Sequence, residues 1–300
     1  MSVRLLAVGS TLVDIRLQVG PADVQYAGLM LGNSHLVDVE RMASLLDRWP
    51  LGRTELGGST ANAVRGFAGL GGAVDFVTAI GNNELGEFAQ RQLVGSGVNL
   101  LSKPIDGDTG VCLAMTTPDG ERTMAVSPGV AAHLVIPEVE LEHHPSCLLL
   151  EGYLLNYSQT TRDAFRRAVE WSRQLKTQLV VSLSDRSVVA GHRAELLKVA
   201  SDDDPLLIGN EGEFQELFEG NAIERLKGLH IMAAITRGSK GATIVDREGN
   251  VTDITAESVS TSDTTGAGDM FAAGLLFGLT SGIEAAGRLG VDSATKYVAD

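Results

Sequence analysis

Cysteine is almost missing from this chain. There are 2 in 300 residues, Cys112 and Cys147, far apart and with no CxxC. That argues against a disulfide-stapled scaffold and against a dithiol redox site, and it suits reduced thiols in a packed core. Proline is modest at 8, and no Pro/Ser linker, repeat or low-complexity stretch interrupts the chain. No apolar run approaches the roughly 20 residues that span a bilayer. The apolar part of the opening "MSVRLLAVGS" is too short for a signal peptide. A cytoplasmic protein with no membrane partner is the expectation. An excess of positive charge is also missing, since the formal net charge is -14 with Lys and Arg scattered. Without a basic stripe, a nucleic-acid partner is not expected. The acidity reads as solubility, and an anionic substrate would need local help from backbone N–H groups or a metal.

Several catalytic signatures are absent too. There is no GxxxxGK[ST] and no GxGxxG following a strand, so neither a P-loop nor hydride transfer on a dinucleotide is supported. No GxSxG elbow occurs. The six histidines are dispersed, and the adjacent pair His143 and His144 suits a loop better than a metal site.

Glycine, in contrast, is plentiful at 35 residues, in an otherwise ordinary globular composition of 44% hydrophobic and 21% charged residues. Many of these glycines end apolar runs. Strands are predicted at Leu5–Val8, 73–81, 147–153, 178–184, 205–210, 232–238 and 259–262. Helices are predicted from Ser59 or Thr60 as N-cap, and over 84–97, 160–175, the stretch "EGEFQELFEG", 267–279 and the C-terminal segment. A hairpin around "DREGN" is predicted over 241–255. Such βα alternation implies an α/β fold with a mostly parallel central sheet and helices on both faces. Ligands on these folds sit at the carboxyl ends of the strands. Two stretches break the alternation: 109–129, two apolar strands around "PDGE", and residues 14 to about 50. We expect these to form a small β lid inserted in a single domain over residues 1–300. A face of the lid strands is left for solvent or for a second copy of the chain, so a homodimer is an open expectation.

Four stretches carry chemistry. In "DTTGAGDMFAAG" (263–274), Gly266, Ala267 and Gly268 open a helix whose unsatisfied N–H groups can cradle a phosphate without side chains in the way. Asp269 follows at once. A carboxylate there would repel a resting phosphate, but it suits a base that takes a proton from an attacking hydroxyl. In "NEGE", Asn210 and Glu213 share a helix face and could hold the water shell of Mg²⁺; taken alone, such a pair is more often a helix cap with acids in its first turn. In "TRGSKGA", Thr236, Gly238 and Gly241 bracket a tight loop that could approach a nucleotide phosphate. In "GGSTAN", Gly57 and Gly58 allow close backbone approach. Asn62 then joins Asp14, beyond the first strand, in a donor and acceptor set that matches paired hydroxyls.

The order of these motifs resembles the ribokinase-like, or PfkB, family of carbohydrate and nucleoside kinases. The likeness spans nearly the whole chain: "DTTGAGDMFAAG" resembles the C-terminal signature, "GGSTANAVRGFAGLGGAVDFVTAIGNNELG" the N-terminal one, "NEGE" the NxxE and "TRGSKG" the TxGxxG. The resemblance implies ATP and Mg²⁺ as cofactors, Asp269 as catalytic base and Gly266, Ala267 and Gly268 as anion hole. It implies Asn210 and Glu213 in the Mg²⁺ and phosphate network, Mg²⁺ being reached through water, and Thr236, Gly238 and Gly241 at the ATP. Asp14, Gly57, Gly58 and Asn62 would bind the acceptor. Asp263 and Thr265 fall where many members hold a monovalent cation, often K⁺. "TPDGERTMAVSPG" and "LLLEGYL" look most like the purine nucleoside branch, which implies in-line transfer to the 5′-hydroxyl of a purine nucleoside, adenosine first. Inosine or guanosine, and a sugar such as ribose or fructose, are the alternatives. Cys112, Met115 and Met124 of the lid are candidates for touching the base. A binding protein that kept the fold without catalysis is disfavoured, because the base and the anion hole are both present.

Overall fold

The fold is taken from a computed structural model that describes residues 3–49, 52–259 and 264–299. The chain opens with β1 (Arg4–Val8) and β2 (Leu12–Gln18), then α1 (Pro21–Tyr26), β3 (Ser34–Leu36), α2 (Val39–Arg48) and β4 (Arg53–Gly57). Next come α3 (Ser59–Gly69), β5 (Ala73–Val77), α4 (Glu84–Gly95) and β6 (Val98–Leu100), followed by the hairpin β7 (Thr109–Thr116) and β8 (Arg122–Gly129). The second half runs β9 (Cys147–Glu151), α5 (Leu154–Tyr157), α6 (Gln159–Leu175), β10 (Gln178–Ser182), α7 (Arg186–Asp203), β11 (Leu206–Asn210), α8 (Glu211–Phe218) and α9 (Ala222–Leu229). It ends with β12 (Met232–Thr236), β13 (Ala242–Val245), β14 (Val251–Ile254), α10 (Ala267–Gly278) and α11 (Ile283–Ala299).

Among the described residues, nine strands form one sheet in the order β14-β13-β12-β11-β10-β9-β1-β5-β6. The run from β12 to β6 is parallel, and β13 and β14 add antiparallel at one edge. Parallel strands covered on both faces must be apolar on both. In β1 the alternation assigns the faces: Leu5 and Ala7 join the core with Val64 and Phe67 of α3 and Phe271 of α10. Leu6 and Val8 point the other way, into the core built by Phe165 of α6, Leu196 of α7, Phe214 of α8 and Leu226 of α9. The βα alternation read from the sequence is therefore present, with helices on both faces.

A second sheet has the order β3-β8-β7-β2-β4. Both stretches that break the alternation contribute to it, and it extends further, from Leu12 to Gly57. Its parity separates two sets of side chains. Val13, Ile15, Val111, Leu113 and Met115 are buried with Val24 of α1 and Met42 and Leu45 of α2. Leu12, Cys112, Met124 and Val126 gather on the opposite side around Ala131. Met115 is thus a core residue beneath the helices and cannot touch a ligand on the face shared by Cys112 and Met124; an odd position in β7 turns it away.

The N-cap of α3 is Gly58, not Ser59 or Thr60, whose hydroxyls bond elsewhere. The predicted strand over 259–262 lies outside the described residues apart from Val259, which is not in a strand. Segment 186–203, not predicted as a helix, forms α7; its helical geometry breaks at His192, which blurs the apolar period. Among the described residues, no helix is long and apolar enough to cross a membrane.

Candidate active site

The carboxyl ends of β1, β9, β10, β11 and β12 all open on one side of the large sheet, where α3 and α10 begin. Helix α10 is capped by Gly266, whose φ of 82° is the left-handed conformation that glycine adopts without strain. Ala267 donates its N–H to the Thr264 carbonyl (3.1 Å), and Met270 is the first residue bonded to Gly266 (2.9 Å). Of the three residues expected to cradle an anion, Ala267 therefore has its N–H turned into the helix entry. Gly268 keeps its N–H without a partner among the described residues. Among the described residues, a Cβ at Gly268 would meet no atom within 4 Å, and Gly268 lines two cavities. This is the bare helix start that accommodates a phosphoryl group.

Asp269 stands on the same turn. Its Oδ1 accepts a hydrogen bond from Ser59 Oγ (2.7 Å) and its Oδ2 accepts one from Asn62 Nδ2 (3.0 Å). Both donors come from the first turn of α3, so the carboxyl is held between two helix starts. Burial pushes it up to about 7; the Ser59 and Asn62 hydrogen bonds pull down, and the charges of Glu151 and Asp14 add to the rise. A carboxyl near neutrality can accept a proton and release it again at working pH.

Asp14 lies on β2, and burial raises its carboxyl to about 6, against the Arg16 guanidinium, which lowers it, and with Glu55, which raises it. Gly57 of β4 pairs with Leu12, two residues before Asp14, and a Cβ there would sit 1.9 Å from Asp14 Oδ1, so only glycine lets the carboxyl in. Gly58 has φ 93°, and a side chain there would also strike the Ser10 carbonyl. Asn210 caps α8, and the exchange with Glu213 is reciprocal. Glu213 accepts from the Asn210 N–H (2.9 Å) and Nδ2 (2.6 Å), and its own N–H donates to Asn210 Oδ1 (3.0 Å). Burial raises the Glu213 carboxyl to about 7, against the Asn210 N–H and with the Asp185 charge. A single carboxylate beside a phosphate cradle fits Mg²⁺, which keeps most of its waters and takes few protein ligands.

Three cavities surround the start of α10. One of about 370 Å³ is lined by Thr236, Gly238, Gly241, Gly268, Phe271 and Val291 and is largely apolar. A second, of about 210 Å³, is lined by Ser59, Ser184, Asn210, Glu213, Gly268 and Asp269. A third, of about 410 Å³, lies toward the second sheet and is lined by Asp14, Arg16, Glu55, Asn62, Arg65 and Gly266. Gly268 and Thr236 belong to the first two, while Asn62 lines the third and bonds to Asp269 in the second. The residues predicted from the four motifs are thus brought to one place. Thr265 is exposed at the rim of the third cavity, and Asp263 lies outside the described residues. Ser184 and Arg65 have no place in the sequence reading, and Ser59 enters it only as a helix-cap candidate. Ser59 carried a signal as the hydroxyl inside "GGSTAN", and Ser184 shows itself only through its left-handed φ of 70°.

Residues 38–299 match the pfkB family carbohydrate kinase. The guanosine-inosine kinase of Escherichia coli (strain K12) is 26% identical over 230 residues, 71% of this chain; the aligned part is 52% of that protein, so the chain spans about half the length of this relative. A fructokinase of Escherichia coli is 28% identical over 246 residues, covering 75% of this chain and 77% of that one. Among solved structures, an adenosine kinase from Sinorhizobium meliloti superposes with a TM-score of 0.90 at 28% identity, covering 100% of this chain and 95% of that one. Given a family match over that span, this chain belongs to the pfkB family of carbohydrate kinases.

Proposed function

We propose that this protein transfers the terminal phosphoryl group of ATP to the 5′-hydroxyl of a purine nucleoside, with adenosine the preferred acceptor. The observation that carries the reading is the Asp269 carboxyl, held by Ser59 and Asn62 beside the unblocked N–H of Gly268, between two cavities. ATP occupies the apolar cavity with its base and runs its phosphates past Thr236 and Gly238 to the start of α10. The acceptor lies under the second sheet, its sugar hydroxyls on Asp14, Asn62 and the Gly57–Gly58 backbone. Asp269 takes the hydroxyl proton as the acceptor oxygen bonds to the γ-phosphorus; the bond from that phosphorus to the bridging oxygen breaks, and ADP departs. The Gly268 N–H and the positive end of α10 hold the charge on the migrating oxygens. Asn210 and Glu213 would hold Mg²⁺ through water, and the bound ion would neutralise charge on the phosphates. A monovalent cation at Asp263 and Thr265 rests on the family resemblance alone.

The second sheet acts as the lid, with Cys112 and Met124 facing the acceptor. Support for the nucleoside comes from the adenosine kinase and guanosine-inosine kinase relatives. Support for the alternative, a sugar acceptor, comes from the fructokinase relative and from the polar, arginine-lined cavity next to Asp14. A phosphorylation screen with ATP and adenosine, inosine, guanosine, ribose and fructose decides between them: turnover highest on adenosine is expected, and transfer to fructose or ribose alone overturns the nucleoside reading.

A further inference from the structure

Glu151 is fully buried at the carboxyl end of β9, in the stretch "LLLEGYL", and has no part in the chemistry above. Its Oε1 accepts from the Ser10 N–H (2.7 Å) and Ser10 Oγ (2.5 Å); its Oε2 accepts from the Thr60 N–H (3.1 Å) and Thr60 Oγ1 (2.6 Å). One carboxyl thus ties the turn after β1 to the first turn of α3, across 141 and 91 residues of sequence. The surroundings are closed around this tie. A Cβ at Gly9 would lie 2.2 Å from Thr60 Oγ1, and one at Gly58 would lie 2.6 Å from the Ser10 carbonyl. Ser59, which follows Gly58 and precedes Thr60, is the donor to Asp269.

We propose that Glu151 is a positioning residue for the base: by anchoring Thr60 and Ser10 it fixes Ser59 and Asn62 at the distances from which they hold the Asp269 carboxyl. The two backbone N–H groups are obligatory donors, one to each carboxyl oxygen. No neutral isostere reproduces that, since an amide at 151 must turn its NH₂ against one of them. Glu151 is too deep and too fully bonded to bind substrate itself. The groups that face Asp269 are Ser59 and Asn62 of α3, Asp14 of β2 and, by its charge, Glu151 of β9; those that face Glu151 are Ser10, Thr60 and the hydroxyls of Tyr153 and Tyr157.

The inference rests on the phosphoryl-transfer reading, and the experiment separates the two. Wild type and Asp269→Asn are first assayed with ATP and adenosine. If wild type transfers no phosphate, or the Asn variant is as active, that reading fails. With it standing, Glu151→Gln, Ser59→Ala and the double variant are compared for kcat and KM, with melting curves to establish folding. Each single change should lower kcat at least tenfold with KM for ATP within about twofold, and the double variant should fall no further than the worse single variant by more than about twofold. Should Glu151→Gln not fold, Thr60→Val, which removes one hydroxyl donor and keeps the carboxyl, takes its place in the same cycle. Wild-type kcat in a folded Glu151→Gln or Thr60→Val, or a double variant whose loss equals the product of the single losses, overturns the positioning role.

Discussion

Replacing Asp269 by Asn should cut turnover by orders of magnitude and, in the same molecule, stabilise the unliganded fold. The carboxyl is raised from an ordinary 3.8 to about 7, so the folded chain binds its proton more tightly than the unfolded chain does. The contribution of that group to stability is fully present below pH 3.8, shrinks as pH rises, and is gone once pH passes 7. Between pH 5 and pH 7 the loss is about 2 pH units at 1.36 kcal/mol each, or roughly 3 kcal/mol as an upper limit. Asn carries no such titration, keeps the shape, and can still accept from Ser59 Oγ. At roughly 2–4 °C per kcal/mol for a chain of this size, the melting-temperature advantage of Asp269→Asn over wild type should grow by about 6–12 °C from pH 5 to pH 8. Thermal melts of the two proteins without ligand across that range measure it. Phosphoryl transfer to adenosine should fall about 10²–10⁴-fold. A melting gap that stays constant with pH, or a variant less stable than wild type at pH 8, would refute the burial argument for this carboxyl.

Gly268→Ala tests the cradle from the other side. A Cβ at 268 meets no atom of the described residues, so the melting temperature should hold within about 2 °C while kcat with ATP drops at least tenfold; an active variant would mean the phosphoryl group passes elsewhere. Removing Mg²⁺ with EDTA should eliminate transfer and added Mg²⁺ should restore it, and EDTA-resistant turnover would remove Glu213 from its proposed role. Met115→Ala should cost about 2–5 kcal/mol in urea unfolding because Met115 is fully buried. Met124→Ala, on the half-exposed face, should cost less and instead raise KM for the nucleoside; equal losses would contradict the assignment of strand faces.

Much of this architecture could be read in one dimension. The βα alternation depends on apolar runs that end in glycine, and those signals are local. The cap pair Asn210 and Glu213 is also local, three residues apart on one turn, and its box geometry follows from that spacing. The second sheet was harder. Its segments stand out by what they lack, a regular βα rhythm, but its extent from Leu12 to Gly57 and the inward turn of Met115, into the core, depend on pairing register with β2 and β8. Helix α7 was missed because its apolar pattern is interrupted at His192.

The sequence alone established the layered α/β plan, the glycine-opened start of α10 and the carboxylate behind it, because helix periods, strand runs and cap residues act over a few neighbours. It could not say what that carboxylate touches. Ser59 and Asn62 lie 210 and 207 residues from Asp269, and Glu151 reaches back to Ser10 and Thr60 across most of the first half. Only the packing of α3 against α10 over the parallel sheet closes those distances and removes the water that would otherwise keep the Asp269 carboxyl at its ordinary acidity.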